Sequence, residues 1–228
     1  MERKDYERTA SIISAALTVV GSSDLAMRGL TAAVKRTAKS PQQNMIAEWL
    51  KNYTAPGNPG NTFFKNIRHL HPNVRKRFVA GMIANFFMRD PELTKALKEE
   101  YDVYSPTTIL ISPTMRCNLK CVGCFAAKYT HEDELSEEEV ESIINQGEAI
   151  GSRVYVMLGG EPFVWPHLLD VAERHPHSVF LVFTNATMIN NRVADRLLEV
   201  GNVCPTISIE GSKAVSYTHL TLPTIYSV

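Results

Sequence analysis

The 228-residue sequence has little of several things, and each shortage removes a class of protein. It has four cysteines, too few for a disulfide framework in a chain this long, and no secretory signal is read at its start, so a reducing cytosol is the expected compartment. It lacks long apolar runs: Ser11 to Val20 is apolar but far too short to span a bilayer. It has no net charge, with 24 Lys/Arg against 24 Asp/Glu, and nothing in it requires nucleic acid. His69, His71, His175 and His177 lack ligand spacing with any partner.

The zero net charge conceals two unlike halves. Residues 1–105 carry 16 Lys/Arg against 10 Asp/Glu, and residues 106–228 carry 8 against 14. The basic groups Lys35, Arg36 and Lys39, then Arg75, Lys76 and Arg77, offer weak contact with phosphate or an anionic membrane surface; a solvated helix face is the favoured alternative.

What the chain does have is three cysteines in the run Cys117-Asn118-Leu119-Lys120-Cys121-Val122-Gly123-Cys124. The C-x3-C-x2-C spacing gathers three thiolates on one short loop. Three thiolates can hold three corners of a cubane iron–sulfur cluster and leave the fourth iron open, whereas ferredoxin-type sites close every position with a fourth cysteine. Zinc is the competing reading, with Cys204 or His131 as a fourth ligand, although zinc ribbons pair two Cys-x2-Cys hooks and no second hook exists here. Cys204 itself is expected as a small core residue, and Glu132, Asp133 and Glu134 as a solvated acidic loop.

The loop follows a β-branched apolar stretch, Thr107 to Pro113, that reads as a buried strand. After it, Ser136 and Glu139 have capping-box spacing at a helix start, Val140, Ile143, Ile144 and Ala149 supply an apolar face, and Gly151 ends the helix. The alternation continues with a strand over Arg153–Leu158 running into Gly159-Gly160-Glu161-Pro162, and a short helix over Leu168–Arg174. A strand over Val179–Phe183 ends at Thr184-Asn185-Ala186-Thr187. A helix over Asn191–Val200 and a strand over Cys204–Ile209, ending at Glu210-Gly211, complete the series. Such alternation predicts parallel strands, with every motif at the same carboxyl edge of one sheet, where α/β proteins place their chemistry.

Over roughly Thr107 to Ala214 the chain resembles the radical S-adenosylmethionine (SAM) superfamily, whose partial (β/α)6 barrel carries the C-x3-C-x2-C loop after its first strand. The resemblance implies that Cys117, Cys121 and Cys124 bind a [4Fe–4S] cluster. It also implies that Gly159, Gly160, Glu161 and Pro162 admit the methionine part of S-adenosylmethionine, that Thr184 and Asn185 line the cofactor cleft, and that Ser208 and Glu210 supply polar contacts. Many members carry an aromatic residue just before the third cysteine. Here that residue is Gly123, with Phe125 just after the cysteine; the adenine contact there runs through backbone, and Phe125 is counted with the cofactor set. No catalytic acid or base is assigned. The implied activity is reductive cleavage of S-adenosylmethionine to a 5′-deoxyadenosyl radical that abstracts hydrogen. The electron donor would be of the flavodoxin or ferredoxin kind, and the substrate a peptide, a lipid or a small metabolite. A non-catalytic iron–sulfur or zinc module and an inactive fragment of a longer enzyme stay open as alternatives.

The expected fold is α/β: the first four strands of a radical SAM barrel over residues 106–214, preceded by an all-α region over 1–105. Helices are expected at Tyr6–Val20, Leu25–Ala38, Thr62–His69, Pro72–Met88 and Pro91–Glu100, with Asn52–Asn61 as a separating loop. A looser resemblance to superfamily members with a helical region before the barrel rests on His71-Pro72-Asn73-Val74. Residues 215–228 have no helical period and resemble a translated transposon-derived sequencing adapter, so authentic sequence is expected to end near Ala214.

Overall fold

The computed structural model describes residues 28–29, 31–32, 35–36, 41–67, 69–79, 81–82, 85, 91–121, 123–124, 126 and 134–209. The expected helix over Tyr6–Val20, much of that over Leu25–Ala38 and the tail at 215–228 lie outside them.

In the N-terminal half, four of the described helices start on prolines. They are α1 (Pro41–Tyr53), α2 (Pro59–Ile67), α3 (Pro72–Val74) and α4 (Pro91–Tyr101). Proline at the first helical position loses only an N–H that would have no partner, and its fixed φ suits the helix. This corrects two expectations. Helix α1 was not singled out, and Pro59-Gly60, read as turn residues, open α2 instead, three residues before the expected start. The Asn58 side chain accepts a hydrogen bond from the Gly60 N–H at 2.9 Å, and a Cβ on Gly60 would lie 2.2 Å from the Tyr53 ring. The helix expected over Pro72–Met88 is interrupted too: α3 passes at once into a π-helical turn, Arg75–Val79.

Helix α3 and this turn meet the second half of the chain. Asn73 donates to the carbonyls of Leu198 (2.9 Å) and Glu199, and Arg77 to that of Val200 (3.1 Å). These carbonyls end helix α7 (Asn191–Val200), where backbone acceptors lack intrahelical partners and a cation suits the helix dipole.

The second half alternates as expected: β1 (Thr108–Ile111), α5 (Glu137–Ala149), β2 (Val154–Met157), α6 (Leu168–Arg174), β3 (Val179–Thr184), α7 and β4 (Val203–Ile207). The strands form one sheet in the order β1-β2-β3-β4, each pair parallel. Local signals set the helix ends. Ser136 and Glu139 form a reciprocal capping box on α5, the Asn190 side chain accepts from Val193 N–H at 3.0 Å, and Gly201, at φ +74°, ends α7.

One sheet face is covered. Ile111, Tyr155, Met157, Phe180, Val182 and Val203 pack against Val140, Ile144, Leu168, Val171, Ala172, Leu197 and Val200 of the helices. Tyr155 is at the centre, stacked on Phe180 with ring centroids 5.5 Å apart. Its hydroxyl lies 2.9 Å from Ile144 O and 3.0 Å from Ser152 O. The other face is covered at the amino ends of the strands, where Val154 and Val179 are buried, and partly open beyond: Leu110, Val156, Leu181 and Cys204 are register partners in one row across the four strands. Leu110 is 63% exposed and Phe183 44%.

Asn202, fully buried, has its side-chain amide nitrogen within 3.0 Å of the carbonyls of Ala172, His175 and Ser178, tying the end of α6 to the start of β3. Asn202→Ala strands these acceptors and is expected to cost roughly 1–3 kcal/mol in urea unfolding. Glu148 gives a pH test. Burial pushes its carboxyl up, but hydrogen bonds from His175 and Ser178 and the charge of Arg153 outweigh that and hold it below the ordinary range. A carboxyl lowered in the folded state adds stability above its unfolded pKa and loses it as pH falls through the folded value. The wild type should therefore lose this contribution below about pH 4.5, and Glu148→Gln should be less stable at pH 7 with a flatter acid limb in unfolding titrations.

Candidate functional site

The carboxyl ends of the strands bring the sequence motifs together. Beyond β1 and β2 the chain stays paired: Leu158 N–H donates to Ile111 O (2.8 Å), Gly160 N–H to Thr114 O (3.0 Å) and Glu161 N–H to Arg116 O (2.9 Å). The glycines make this close approach possible. A Cβ on Gly159 would lie 2.2 Å from Thr114 O, and one on Gly160 the same distance from Arg116 O; Gly159 also has φ +120°. The segment leading into the cysteine loop thus rests on the Gly159-Gly160 backbone.

Glu161 is completely buried. Its carboxyl accepts from Phe163 N–H (3.1 Å), Thr184 hydroxyl (2.7 Å) and Asn185 N–H (2.8 Å), so it fastens the end of β2 to that of β3. Pro162, also buried, starts a 3-10 turn over Pro162–Val164. The Thr184 hydroxyl accepts in turn from Ala186 N–H at 2.9 Å, and Thr184 O accepts from Ser208 N–H at 2.9 Å. All four strand ends are linked. Phe125 and Glu210 lie outside the described residues, as do His131, Glu132 and Asp133.

Cys117, Cys121 and Cys124 are free thiols on the loop after β1, Cys117 exposed and the other two partly so. Burial of its sulfur pushes the Cys117 thiol up, and the charges of Glu161, Cys121 and Cys124 add to this against a Leu119 N–H that donates to the sulfur. In the conformation described, the three sulfurs are not drawn into a ligand cluster; among the described residues no group of three or more His, Cys, Asp or Glu could hold a metal ion.

Three polar residues beside the loop were not assigned from sequence. Asn118 donates to the Thr187 hydroxyl at 2.7 Å and accepts from the Asn185 amide at 3.0 Å, and Arg116 bonds Glu134 at 2.8 Å. The only sequence sign was proximity to the motifs, Asn118 next to Cys117 and Thr187 closing the turn after β3. Cys204, expected in the core, lies partly buried on the open sheet face, with burial raising its thiol pKa. Among the basic residues, Lys35 pairs with Glu48 beside a cavity of about 420 Å³ in the helical half, and Arg77 caps α7.

Residues 111–219 match the family model described as the radical SAM superfamily. The chain is 39% identical over 102 residues to the Fe-coproporphyrin III synthase of Methanosarcina barkeri, covering 43% of this chain and 26% of that protein. It is 27% identical over 118 residues to a probable GTP 3′,8-cyclase of Thermococcus kodakarensis, covering 50% and 38%. The chain thus spans well under half the length of these relatives. The crystal structure of Streptococcus suis SuiB bound to S-adenosylmethionine aligns with a TM-score of 0.49 at 22% identity, covering 79% of this chain and 41% of that one.

Gly160→Ala puts a methyl group into the Met115 and Arg116 carbonyls. It should cost about 1–3 kcal/mol, the range for overpacking a tight site, read as a lower midpoint in chemical denaturation.

Proposed function

Since this chain is a protein of the radical SAM superfamily, we propose that Cys117, Cys121 and Cys124 hold a [4Fe–4S] cluster with one iron left open to S-adenosylmethionine. The observation that carries the reading is the placement of three free thiols on one strand-end loop beside a glycine backbone with no room for side chains. The donor set fits: three thiolates suit an iron–sulfur cluster, and one loop can supply them by local closure. When bound, the cluster supplies the electron that cleaves S-adenosylmethionine to methionine and a 5′-deoxyadenosyl radical for hydrogen abstraction.

The chain's own residues bind and orient. Gly159 and Gly160 give the methionine part of the cofactor a backbone surface, and buried Glu161 holds that segment against the turn at Thr184 and Asn185. Asn185, Ser208, Glu210, Pro162 and Phe125 complete the proposed cofactor set. The substrate would approach the open sheet face, where Leu110, Val156, Leu181 and Phe183 offer apolar surface. The electron would come from a flavodoxin- or ferredoxin-type donor in a reducing cytosol; among the described residues no helix is long and apolar enough to cross a membrane.

Anaerobic reconstitution with iron and sulfide tests the reading. The expected product is a brown protein that forms 5′-deoxyadenosine from S-adenosylmethionine and dithionite, while Cys121→Ala loses iron and falls to background. A colourless protein retaining one zinc ion would refute the proposal in favour of a non-catalytic metal module. A brown protein that forms no 5′-deoxyadenosine would refute catalysis by the chain as it stands.

A further inference from the structure

Beside Cys117, three side chains close a ring of hydrogen bonds. The Asn118 amide donates to the Thr187 hydroxyl (2.7 Å), that hydroxyl donates to Asn185 Oδ1 (2.6 Å), and the Asn185 amide donates back to Asn118 Oδ1 (3.0 Å). Every bond runs in the same sense around the ring, so each polarises the next.

The ring also settles which way Asn185 faces. The Thr187 backbone N–H, 2.9 Å from Asn185 Oδ1, can only donate, so the oxygen of the Asn185 amide must be the atom turned towards Thr187. The nitrogen is therefore turned to the cysteine loop. One of its hydrogens serves Asn118, and the nitrogen lies 3.9 Å from Cys117 Sγ, within reach of a sulfur acceptor. The Leu119 N–H reaches the same sulfur at 3.4 Å.

We propose that Asn118 and Thr187 are positioning residues that hold the Asn185 amide as a hydrogen-bond donor to Cys117 sulfur, setting the reduction potential of the centre bound there. The inference rests on the iron–sulfur reading above and adds to it which residues tune the electron-accepting step. A donor to a ligating sulfur stabilises the additional negative charge of the reduced cluster, so the N–H···S contact raises the potential. Neither Asn118 nor Thr187 need touch the cluster. They act by fixing a neighbouring amide, as second-layer residues do at other metal centres.

The experiment is a redox titration of the anaerobically reconstituted full chain without S-adenosylmethionine, followed by the electron paramagnetic resonance signal of the reduced cluster, with iron content measured alongside. Thr187→Val removes one hydroxyl at nearly constant volume; Thr187→Ser retains it. The expected result is a more negative midpoint and an altered signal in Thr187→Val and Asn118→Ala at unchanged iron content, with Thr187→Ser close to wild type. Should Asn118→Ala fail to hold iron, the Thr187 pair decides alone. A wild-type midpoint and signal in loaded Thr187→Val, or the same shift in Thr187→Ser as in Thr187→Val, would overturn the inference while leaving the cluster reading intact. A wild-type chain that binds no iron–sulfur cluster would overturn both.

Discussion

The buried carboxyl of Glu161 is the constraint on which the carboxyl edge depends. An acid removed from water is costly unless its oxygens are occupied, and here three donors, from Phe163, Thr184 and Asn185, supply what water would have. Two belong to the end of β3, so satisfying the acid and joining β2 to β3 are one requirement. The glycines before it have the matching role towards β1, because the Thr114–Arg116 backbone can approach only where there is no Cβ. The cysteine loop therefore hangs from a frame fixed by a carboxyl on one side and missing side chains on the other.

The two sheet faces divide the work of the fold. Helices α5, α6 and α7 bury one face, and there the aromatic pair Tyr155–Phe180 and the amide of Asn202 meet strict packing and hydrogen-bonding demands. The opposite face leaves its apolar row partly exposed, Leu110 most of all. In most soluble proteins such a row is a liability, since exposed contiguous apolar surface invites association.

Much of the second half was legible in the sequence because its signals are local and point the same way. Ser136 and Glu139 at capping spacing, Gly151 and Gly201 at helix ends, and β-branched runs between them place α5, α6, α7 and the four strands within a residue or two of where they lie. The first half was harder to read. Pro59 and Gly60 look like a turn to any local rule, yet proline at a first helical position and a glycine pressed on Tyr53 make them the start of a helix. The interruption at Arg75–Val79 had no local sign, since its polar partners are carbonyls of α7 more than a hundred residues further along the chain. In the site, single motifs were readable but their connections were not. That Glu161 turns inward, and that Asn118 and Thr187 meet across two loops, depends on strand register, which no single segment encodes.

The bonds from Asn73 and Arg77 to the end of α7 have a consequence for the order of events during synthesis. Asn73 is separated from Leu198 by 125 positions, so its partners do not exist while the N-terminal half is leaving the ribosome. At about 5–20 residues per second, the usual elongation rate, the wait is roughly 6–25 seconds. During that interval Asn73 and Arg77 have no α7 carbonyls to bond. The contact then closes late, once α7 has formed, and joins segments made 125 positions apart.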